Sequence, residues 1–293
     1  MTGLSNCCSV VVAVSMLLSL NPAYGDDRDG PEKDTDEVTQ QFVDGITMLG
    51  IREDGTRYRV KQPHLLMKFY DPQRGRNLDR TQTGALWAWG DGRPIALTEV
   101  WRWGKDTTWG HTLISTTPGY VTASVDEMTW GPEQPGLHFT EMQNAATPAS
   151  TFRERTGQMS QLAERFTGYE MVRRKVVDLS VLPEPLYRYE EEGIDGAIFA
   201  LAQCENPTAI LFLEAVSDPI RPDYWRYAWA KGTSSPVTVE QDGDELLHIP
   251  GSLNDLGSAS ESFWVFFRSN ADLTAKGEEE EALQLLEGRP ATE

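Results

Sequence analysis

A repeated pattern of short apolar segments constrains the fold of this chain more than any other feature of its sequence. Gly84-Ala-Leu-Trp-Ala-Trp, a polar turn and Ile95-Ala-Leu-Thr-Glu-Val match Gly196-Ala-Ile-Phe-Ala-Leu, a turn and Ile210-Leu-Phe-Leu-Glu-Ala. Further matches follow in the same order, and the spacing between the copies changes only with loop length. Ordered self-similarity of this kind indicates an internal duplication. We therefore predict two copies of one structural unit.

Each copy has the features of antiparallel strands. Short β-branched or aromatic runs alternate with a period of two and are separated by Gly, Pro, Asn and Asp turns. Turns this short favour a meander, because a parallel crossover needs about a dozen residues or more. We predict a mainly β fold of the α+β type, in which two tandem antiparallel meander repeats form one sandwich- or barrel-like assembly. Whether the repeats close one barrel or pack as two sheets stays open.

The predicted strands fall into two sets. Repeat 1 covers about residues 63–136 and repeat 2 about residues 183–251, and a further strand follows at 263–268. The strands of the two repeats are expected near residues 63–70, 84–89, 95–103, 109–116, 120–125, 185–189, 196–202, 208–216, 223–231, 236–240 and 245–249.

One helix is predicted between the repeats, at about residues 151–167 of a connector that spans 137–182. Thr151 and Glu154 have the spacing of a capping box, in which each side chain satisfies a backbone N–H group that the first turn leaves free. Apolar residues then follow at helical spacing, and Gly168 is placed to end the helix. We expect this helix to have a packing role.

The first 25 residues have the composition of a secretory leader. They carry no charged side chain, and the apolar run from Val10 to Leu20 is too short to span a bilayer. Ala23 and Gly25 are small residues at the two positions that a signal peptidase recognises, so we expect cleavage after Gly25 and export to the periplasm or the exterior. The segment before the apolar run lacks the Lys or Arg typical of a leader, and the alternatives are an uncleaved membrane anchor and a buried N-terminal helix.

The net charge of −19 is concentrated in two segments. Residues 26–37 hold seven acids and two bases, and residues 277–293 hold six acids and one base, so these segments carry −10 of the total. Such acidity argues against a nucleic-acid partner, since phosphate contacts need a basic face. The chain is therefore divided into a signal peptide at 1–25, an acidic linker at 26–38, a duplicated β-rich domain at 39–276 and an acidic tail at 277–293. We expect no stable membrane span once the leader is removed.

The sequence lacks the motifs of the common cofactor and metal sites. It has no phosphate-binding glycine loop, no His-Glu-x-x-His pair and no Gly-x-Ser-x-Gly turn. Cys204 is the single cysteine outside the leader, which excludes an internal disulfide and a cysteine-rich metal site. We predict no cofactor and no metal, while a histidine–carboxylate site assembled in space stays open for His64, His111, His138 and His248.

Two glutamates interrupt the most apolar predicted strands. Glu99 lies in Ile-Ala-Leu-Thr-Glu-Val-Trp and Glu214 lies in Ala-Ile-Leu-Phe-Leu-Glu-Ala-Val, at equivalent positions of the sequence repeat. A carboxylate in such a face needs a partner or a wet cavity, because burying it alone is costly. One interpretation is the acid–base pair of a glycoside hydrolase. The favoured interpretation is that each glutamate forms an ion pair with an arginine such as Arg102, Arg226 or Arg268.

Four tryptophans are candidates for ligand binding. Trp87 and Trp89 share one face of a predicted strand, and Trp101 and Trp103 share one face of the next. An exposed aromatic platform of this kind could stack on sugar rings. Cross-strand packing inside a two-layer core is the favoured alternative.

Several segments resemble a family of secreted proteins common in planctomycete bacteria. The resemblance rests on Pro185-Leu-Tyr-Arg-Tyr-Glu and the strands that follow it, on the Gly92-Arg93-Pro94 turn, on Pro135-Gly136 and on the helix from Arg155 to Phe166. It covers about Leu65 to Pro250. The resemblance implies export and these boundaries, and it transfers no activity and no catalytic residue.

The sequence favours an exported, non-enzymatic binding or structural protein. Its partner is expected to be an extracellular carbohydrate or another protein. The alternative is a hydrolase of an extracellular polymer, resembling a glycoside hydrolase, in which Glu99 and Glu214 are the central residues.

Overall fold

The computed structural model describes residues 35–52, 54–71, 82–104, 106–252, 256–269 and 271. The predicted leader and C-terminal tail lie outside the described residues, as does most of the acidic linker. Within the described chain the protein is mainly β, with antiparallel sheets and two helices, as the sequence predicts. Neither of these helices is long and apolar enough to cross a membrane.

The elements follow one another closely along the chain. In order they are α1 (Thr35–Asp44), β1 (Ile46–Ile51), β2 (Arg57–Arg59), β3 (His64–Asp71), β4 (Gln82–Trp89), β5 (Ala96–Trp103), β6 (Thr108–Ser115), β7 (Tyr120–Val125), β8 (Met128–Trp130), β9 (Thr140–Glu141), α2 (Phe152–Ala163), β10 (Phe166–Val172), β11 (Lys175–Val181), β12 (Tyr187–Glu191), β13 (Ile194–Ala202), β14 (Pro207–Val216), β15 (Tyr224–Lys231), β16 (Val237–Gln241), β17 (Asp244–Ile249) and β18 (Phe263–Ser269).

The chain from α1 to β8, called the first half below, forms two sheets. Strands β3, β4, β5 and β6 make a meander, and β1, β2, β7 and β8 make a separate sheet in the order β2-β1-β7-β8. The chain from α2 to β17, the second half, has the same order of elements and the same pairing. Its meander is β12-β13-β14-β15, and its other strands are paired in the order β11-β10-β16-β17. A short pairing of β11 with β13 joins them into one sheet.

Each meander is extended by a strand that follows the other half in sequence. Strand β9, which follows the first half, pairs with β15 of the second. Strand β18, which follows the second half, pairs with β6 of the first along seven residues. The two meanders belong to different sheets, and each has one of these strands at its edge.

Three apolar cores hold the sheets together. In the first half, α1 and the β1–β7 sheet pack on one face of the first meander, and Phe42, Met48 and Trp109 lie at this core. In the second half, α2 and strands β10 and β16 cover one face of the second meander in the same way. The remaining faces of the two meanders pack against each other through residues such as Leu97 and Phe212. The assembly is therefore a sandwich of two meanders, which answers the question that the sequence left open.

The predicted strands agree with the structure, but several elements were missed. The sequence pattern did not predict α1, β1, β2 or the short strands β8 and β9, and it did not separate β10 and β11 from the connector. Helix α1 begins at Thr35, inside the segment assigned to the acidic linker, and its Val38 belongs to the first core. The boundary at residue 38 is therefore wrong, because a few apolar residues on one helical face are enough to anchor a polar segment.

The connector helix is confirmed, although it is shorter than predicted. Helix α2 covers Phe152–Ala163, and the Thr151 hydroxyl accepts a hydrogen bond from the Glu154 backbone N–H group. Gly168 lies inside β10 instead of ending the helix. A Cβ atom at Gly168 would lie 2.4 Å from the carbonyl oxygen of Thr238, so the glycine allows close approach of β16.

Candidate functional site

Glu99 and Glu214 both lie on the faces of the meanders that pack against each other. Glu99 of β5 shares its face with Leu97, and Glu214 of β14 shares its face with Phe212. The two glutamates are 4% and 0% exposed. Both carboxylates are thus buried between the two halves of the molecule, as their apolar sequence context indicates.

The strand register shows that the two glutamates do not occupy equivalent positions. The sequence repeat matches Gly84 with Gly196. In the structure Gly84 lies opposite Trp101 on the next strand, whereas Gly196 lies opposite Glu214. When Gly84 is matched with Gly196, the register therefore places Trp101, and not the predicted Glu99, at the position of Glu214, and Glu99 lies two residues away.

The opposite side of each strand gives the same result. Trp101 lies opposite Gly110, and Glu214 lies opposite Arg226. Gly110 directly follows Trp109 and Arg226 directly follows Trp225, and the sequence repeat matches these two tryptophans with each other. The two hairpins differ in turn length, and the β13–β14 pair contains a bulge. A shift of two residues keeps every side chain on its face, so the apolar pattern could not reveal it.

Glu214 is the centre of a buried ion-pair network, called the Glu214 cluster and made of Arg93, Tyr189, Glu214 and Arg226. Arg93 Nε donates to Glu214 Oε1 at 2.6 Å, and the Tyr189 hydroxyl donates to the same oxygen at 2.7 Å. Arg226 Nε and Nη2 both lie 2.7 Å from Oε2. Both carboxylate oxygens therefore accept charge-assisted hydrogen bonds, which are about twice as strong as neutral ones.

The electrostatics of the cluster follow from its burial. Burial lowers the pKa of Arg93, but the attraction of the Glu214 carboxylate outweighs this effect. The pKa of Arg93 is therefore raised above its usual value. Burial and the same carboxylate hold the pKa of the Tyr189 hydroxyl well above its ordinary value. Both guanidinium groups also lie on the ring of Phe139, at 5.0 and 4.4 Å from its centroid. The cluster ties the β4–β5 turn of the first half to the second half.

The other arginines proposed as partners have different contacts. Arg268 forms an ion pair with Asp126 at 3.1 Å, and its guanidinium lies over the Phe42 ring. Arg102 lies over the ring of Trp109, on the opposite face of β5 from Glu99. Arg226 thus forms an ion pair with one of the candidate glutamates, Glu214.

Glu99 lines a cavity of about 170 Å³ at the boundary between the halves, called the Glu99 cavity. Strands β4, β5 and β6 form one wall, and the start of β18 adds an aromatic ring. The end of β10 and the β15–β16 turn form the other wall. The lining residues are Gln82, Glu99, Trp101, Trp103, Thr112, Glu170, Val172, Gly232, Thr233, Ser234, Ser235 and Phe263.

A second buried carboxylate, that of Glu170, lines the same cavity. Glu170 is 2% exposed and accepts a hydrogen bond of 2.7 Å from the Thr233 hydroxyl. It belongs to the second half, whereas Glu99 belongs to the first. Sequence reasoning missed Glu170 because Phe166 and Gly168 were assigned to the end of the helix. The feature that could have identified it is an acidic residue within a strand-like run of aromatic and apolar residues.

The four candidate tryptophans have two different roles. Trp87 and Trp89 are buried in the core of the first half, and the indole N–H of Trp89 donates to Thr98 at 2.8 Å. For these two residues, core packing is confirmed and the sugar platform is wrong. Trp101 and Trp103 are only partly buried and line the Glu99 cavity, with their rings edge to face at a centroid distance of 5.4 Å.

The cavity wall is held in place by its own hydrogen bonds. The Trp101 indole N–H donates to the hydroxyl of Thr112 at 3.2 Å, and the Trp101 ring lies over Gly110, where a Cβ atom would be 2.4 Å from it. The side-chain amide of Asn206, in the β13–β14 turn, donates to Gln82 Oε1 at 3.1 Å. The arrangement offers carboxylate and hydroxyl oxygens beside aromatic faces, which suits recognition of a small polar ligand.

The histidines and the cysteine have no common site. His111 is fully buried between Phe42 and Phe266 without a hydrogen-bond partner on either ring nitrogen, and burial together with the nearby Arg268 lowers its pKa to about 3. Burial also lowers the pKa of His64, which packs on Tyr187. The remaining positions are the exposed His138, His248 beside Thr238, and Cys204 in a turn. Among the described residues, no group of three or more His, Cys, Asp or Glu side chains is arranged to hold a metal ion.

Comparisons with known proteins give no family for this chain. No protein-family model matches the sequence, no curated protein matches it, and no solved structure matches it. The Glu99 cavity is therefore interpreted from its own geometry.

Proposed function

We propose that this chain is an exported, non-enzymatic binding protein that holds a small polar ligand in the Glu99 cavity. The observation that carries the proposal is the cavity itself, in which aromatic rings and oxygen acceptors from both halves face one another. Ligand sites commonly form at such boundaries between structural units. The volume of about 170 Å³ lies below the range of about 300–1,000 Å³ typical of drug-sized ligands. A ligand of about one ring fits this volume better than an extended polymer.

The proposal includes an origin by duplication. Support comes from the common order of elements in the two halves and from a detail of packing. Gly84 and Gly196 each lie beside the aromatic ring of the strand before, which is Phe69 in the first half and Tyr189 in the second.

Export is the second part of the proposal. It rests on the uncharged leader with small residues at Ala23 and Gly25, and on the resemblance to secreted planctomycete proteins. The test is expression of the full chain in a bacterial host, followed by fractionation and N-terminal sequencing. We expect mature protein that begins at Asp26. Intact protein in the membrane fraction would support the anchor, and intact protein in the cytoplasm would contradict export.

A hydrolase is the second candidate function, and one observation favours it: two buried carboxylates, Glu99 and Glu170, line one cavity. Glycoside hydrolysis uses such a pair. The pair that the sequence suggested is not supported, because both oxygens of Glu214 are bound by Arg93, Tyr189 and Arg226. The hydrolase alternative therefore keeps Glu99 and exchanges Glu214 for Glu170.

The test of the binding function is calorimetric titration of the mature chain with monosaccharides, amino sugars and amino acids. We expect one class to bind and Trp103→Ala to weaken that binding by about tenfold, since loss of about 55 Å² of buried apolar contact costs about 1.4 kcal/mol. Tyr120→Ala is the matched control, because Tyr120 is exposed and does not line the cavity. If Trp103→Ala and Tyr120→Ala behave alike, the cavity is not the binding site.

The same samples test the hydrolase. Product formation from aryl glycosides or oligosaccharides, abolished by Glu99→Gln and by Glu170→Gln, would establish an enzyme. Binding without turnover over long incubation would support the non-enzymatic role.

A further inference from the structure

We infer that the acidic C-terminal segment of this chain, residues 277–293, docks on the outer face of the small sheet β2-β1-β7-β8. The inference names an interaction surface and its occupant, and it does not depend on a ligand in the Glu99 cavity.

The strand register defines this outer face. Residues that lie directly opposite each other in paired strands have their side chains on the same face of the sheet. Met48 of β1 belongs to the first core, so its neighbours Leu49 and Thr47 lie on the face that points away from that core. Two adjacent rows on this face, in the order β2, β1, β7, are Arg57-Ile51-Tyr120 and Arg59-Leu49-Thr122.

The two rows place exposed arginines beside apolar side chains. All three residues of β2 are exposed, and Tyr120 is 51% exposed. Leu49 and Ile51 are partly buried and lie between the arginines and β7. Within the described part of the chain, neither Arg57 nor Arg59 forms an ion pair or a side-chain hydrogen bond. The outer face thus combines unpaired positive charge with apolar contact area.

No acidic residue lies in these two rows, although the chain carries a net charge of −19. The acidic side chains of the flanking turns have contacts of their own. Asp54, in the β1–β2 turn, accepts a hydrogen bond of 2.8 Å from the Thr56 backbone N–H group, and Asp126, in the β7–β8 turn, forms an ion pair with Arg268. The arginines of the outer face therefore present their charge to an anionic partner.

The C-terminal segment has both parts of the complementary chemistry. Glu278–Glu281 is a run of four acidic residues, and three leucines follow between residues 283 and 286. Carboxylates pair with guanidinium groups, and the leucines supply apolar area to cover Leu49 and Ile51. The other acidic segment, residues 26–34, contains no leucine, isoleucine, valine or aromatic residue. Composition therefore favours the C-terminal segment as the occupant.

The segment starts close enough to reach the outer face. Strand β18 ends at Ser269, and the preceding Arg268 lies 3.1 Å from Asp126 in the turn after β7. From that turn to Tyr120 is about 20 Å along β7, and the two strand spacings to β2 add about 10 Å across the sheet. The twelve positions from Ser269 to Glu281 span up to about 40 Å when extended. The acidic run can therefore lie against the two arginines.

Connection within one chain favours this segment over a separate polyanion. Exposed ion pairs are individually weak, and a separate polyanion is repelled by the net charge of −19. A segment of the same chain acts at an effective concentration of the order of 1 mM, so a site with a Kd of about 0.1 mM is about nine-tenths occupied. Two arginines and a short apolar strip are enough for a site of that modest affinity.

Proteolysis of the full mature chain tests the inference. A glutamate-specific protease cleaves after Glu287, and mass spectrometry follows the initial rate of that cleavage at low salt. We expect Arg57→Glu/Arg59→Glu to accelerate the cleavage by about tenfold, because the rate follows the population in which the segment is undocked. Arg153→Glu/Lys175→Glu is the matched control, since it makes the same change of charge at exposed positions of the second half. It should leave the rate unchanged.

Reversal of the charges on the segment is the reciprocal measurement. Glu279→Lys/Glu280→Lys alone should accelerate cleavage after Glu287, and its combination with Arg57→Glu/Arg59→Glu should restore the slow rate. Circular dichroism checks the fold of each variant, and Arg57→Gln/Arg59→Gln replaces the charge reversal if that variant does not fold.

Three results would overturn the inference. The first is an equal rate for the unmodified chain, the arginine variant and the control, or a combined variant that stays fast. The second is a rate that falls as the protein concentration rises, which would place the segment on a second copy. The third is binding of heparin that depends on Arg57 and Arg59 while cleavage after Glu287 stays fast, which would make a separate polyanion the occupant.

Discussion

The Glu214 cluster and the Glu99 cavity are two solutions to one problem, a carboxylate buried between packed sheets. In the second half, Arg93, Arg226 and Tyr189 surround the carboxylate of Glu214 and leave it no exposed surface. In the first half, Glu99 lies opposite Thr112 and faces a cavity that also holds Glu170. The same residue type in similar apolar strands thus has a structural role in one place and a candidate binding role in the other.

The difference comes from the neighbours and not from the strand sequence. Arg226 lies directly opposite Glu214 on β15, and Arg93 reaches it from a turn of the other half. Breaking a buried ion pair by removing one partner is strongly destabilising, whereas Glu170→Gln in the cavity keeps an acceptor for the Thr233 hydroxyl. Variants of the two sites should therefore separate loss of stability from loss of binding.

The largest effect is expected for Glu214→Ala, which leaves two guanidinium groups at a buried boundary without their carboxylate. The free energy of unfolding should fall by about 3–5 kcal/mol. Urea or guanidinium denaturation of the mature chain measures it, with Glu245→Ala on the exposed face of β17 as the control. A loss below about 1 kcal/mol would place the cluster with surface ion pairs, which contribute little.

The next largest effect is a loss of stability at acidic pH, expected because the core of the first half contains the buried, neutral His111. Its pKa of about 3 in the folded protein lies below the usual value of 6.5, so the unfolded chain binds the proton first as pH falls. Stability attributable to His111 is complete above pH 6.5 and decreases below it, by up to about 1.4 kcal/mol per pH unit. Denaturation at several pH values between about 7 and 4.5 measures this slope.

His111→Phe is the matched variant for that measurement, because its ring can pack between Phe42 and Phe266 without a titratable group. We expect its stability to depend less on pH than that of the unmodified chain over this interval. Identical slopes for the two proteins would show that His111 does not titrate on unfolding.

A smaller effect is expected for Tyr189→Phe, which removes one hydrogen bond to Glu214 and keeps both arginines. Loss of a hydrogen bond to a charged group should cost about 1.5–3 kcal/mol, less than removal of the carboxylate itself. Phe69 already occupies the matching position of the first half, so the ring fits this environment. Tyr120→Phe, at an exposed site, should change stability by no more than about 0.5 kcal/mol. If Tyr189→Phe is as stable as that control, the Tyr189 hydroxyl does not contribute to the stability of the Glu214 cluster.

The smallest change in stability is expected for Glu170→Gln in the Glu99 cavity. The amide oxygen can still accept from Thr233, so unfolding should change by no more than about 1 kcal/mol even where binding is lost. Thermal unfolding with and without the monosaccharides, amino sugars and amino acids of the binding panel measures both properties on one sample. A loss as large as that of Glu214→Ala would make Glu170 a structural residue and end the contrast between the two sites.

Local sequence rules were sufficient for most strands and for one helix. Alternation and turn residues located both meanders, and the capping box of Thr151 and Glu154 located the start of α2. They failed for α1, where a mostly polar segment is held by residues such as Phe42 and Val43. They also failed for β10, because the two residues that separate it from α2, Glu164 and Arg165, carry no turn signal.

For the candidate site, the sequence identified Glu99, Trp101 and Trp103 but joined Glu99 to the wrong partner. Glu170 comes from a strand 71 positions later and from the other half, and no spacing rule connects the two. Trp87 and Trp89 could not be distinguished from Trp101 and Trp103 by alternation, because the faces of a sandwich differ in exposure only once the second sheet is in place.

What the sequence by itself determined is the mainly β character of the chain, the tandem meanders and the presence of two carboxylates in buried faces, because these depend on periodicity and on nearby turn residues. Only the tertiary structure decided that Arg93 and Arg226 bind Glu214 and that Glu99 and Glu170 line one cavity. The physical reason is that a buried charge is satisfied by whatever lies across the interface, and pairing across two halves depends on register and packing that no local pattern specifies.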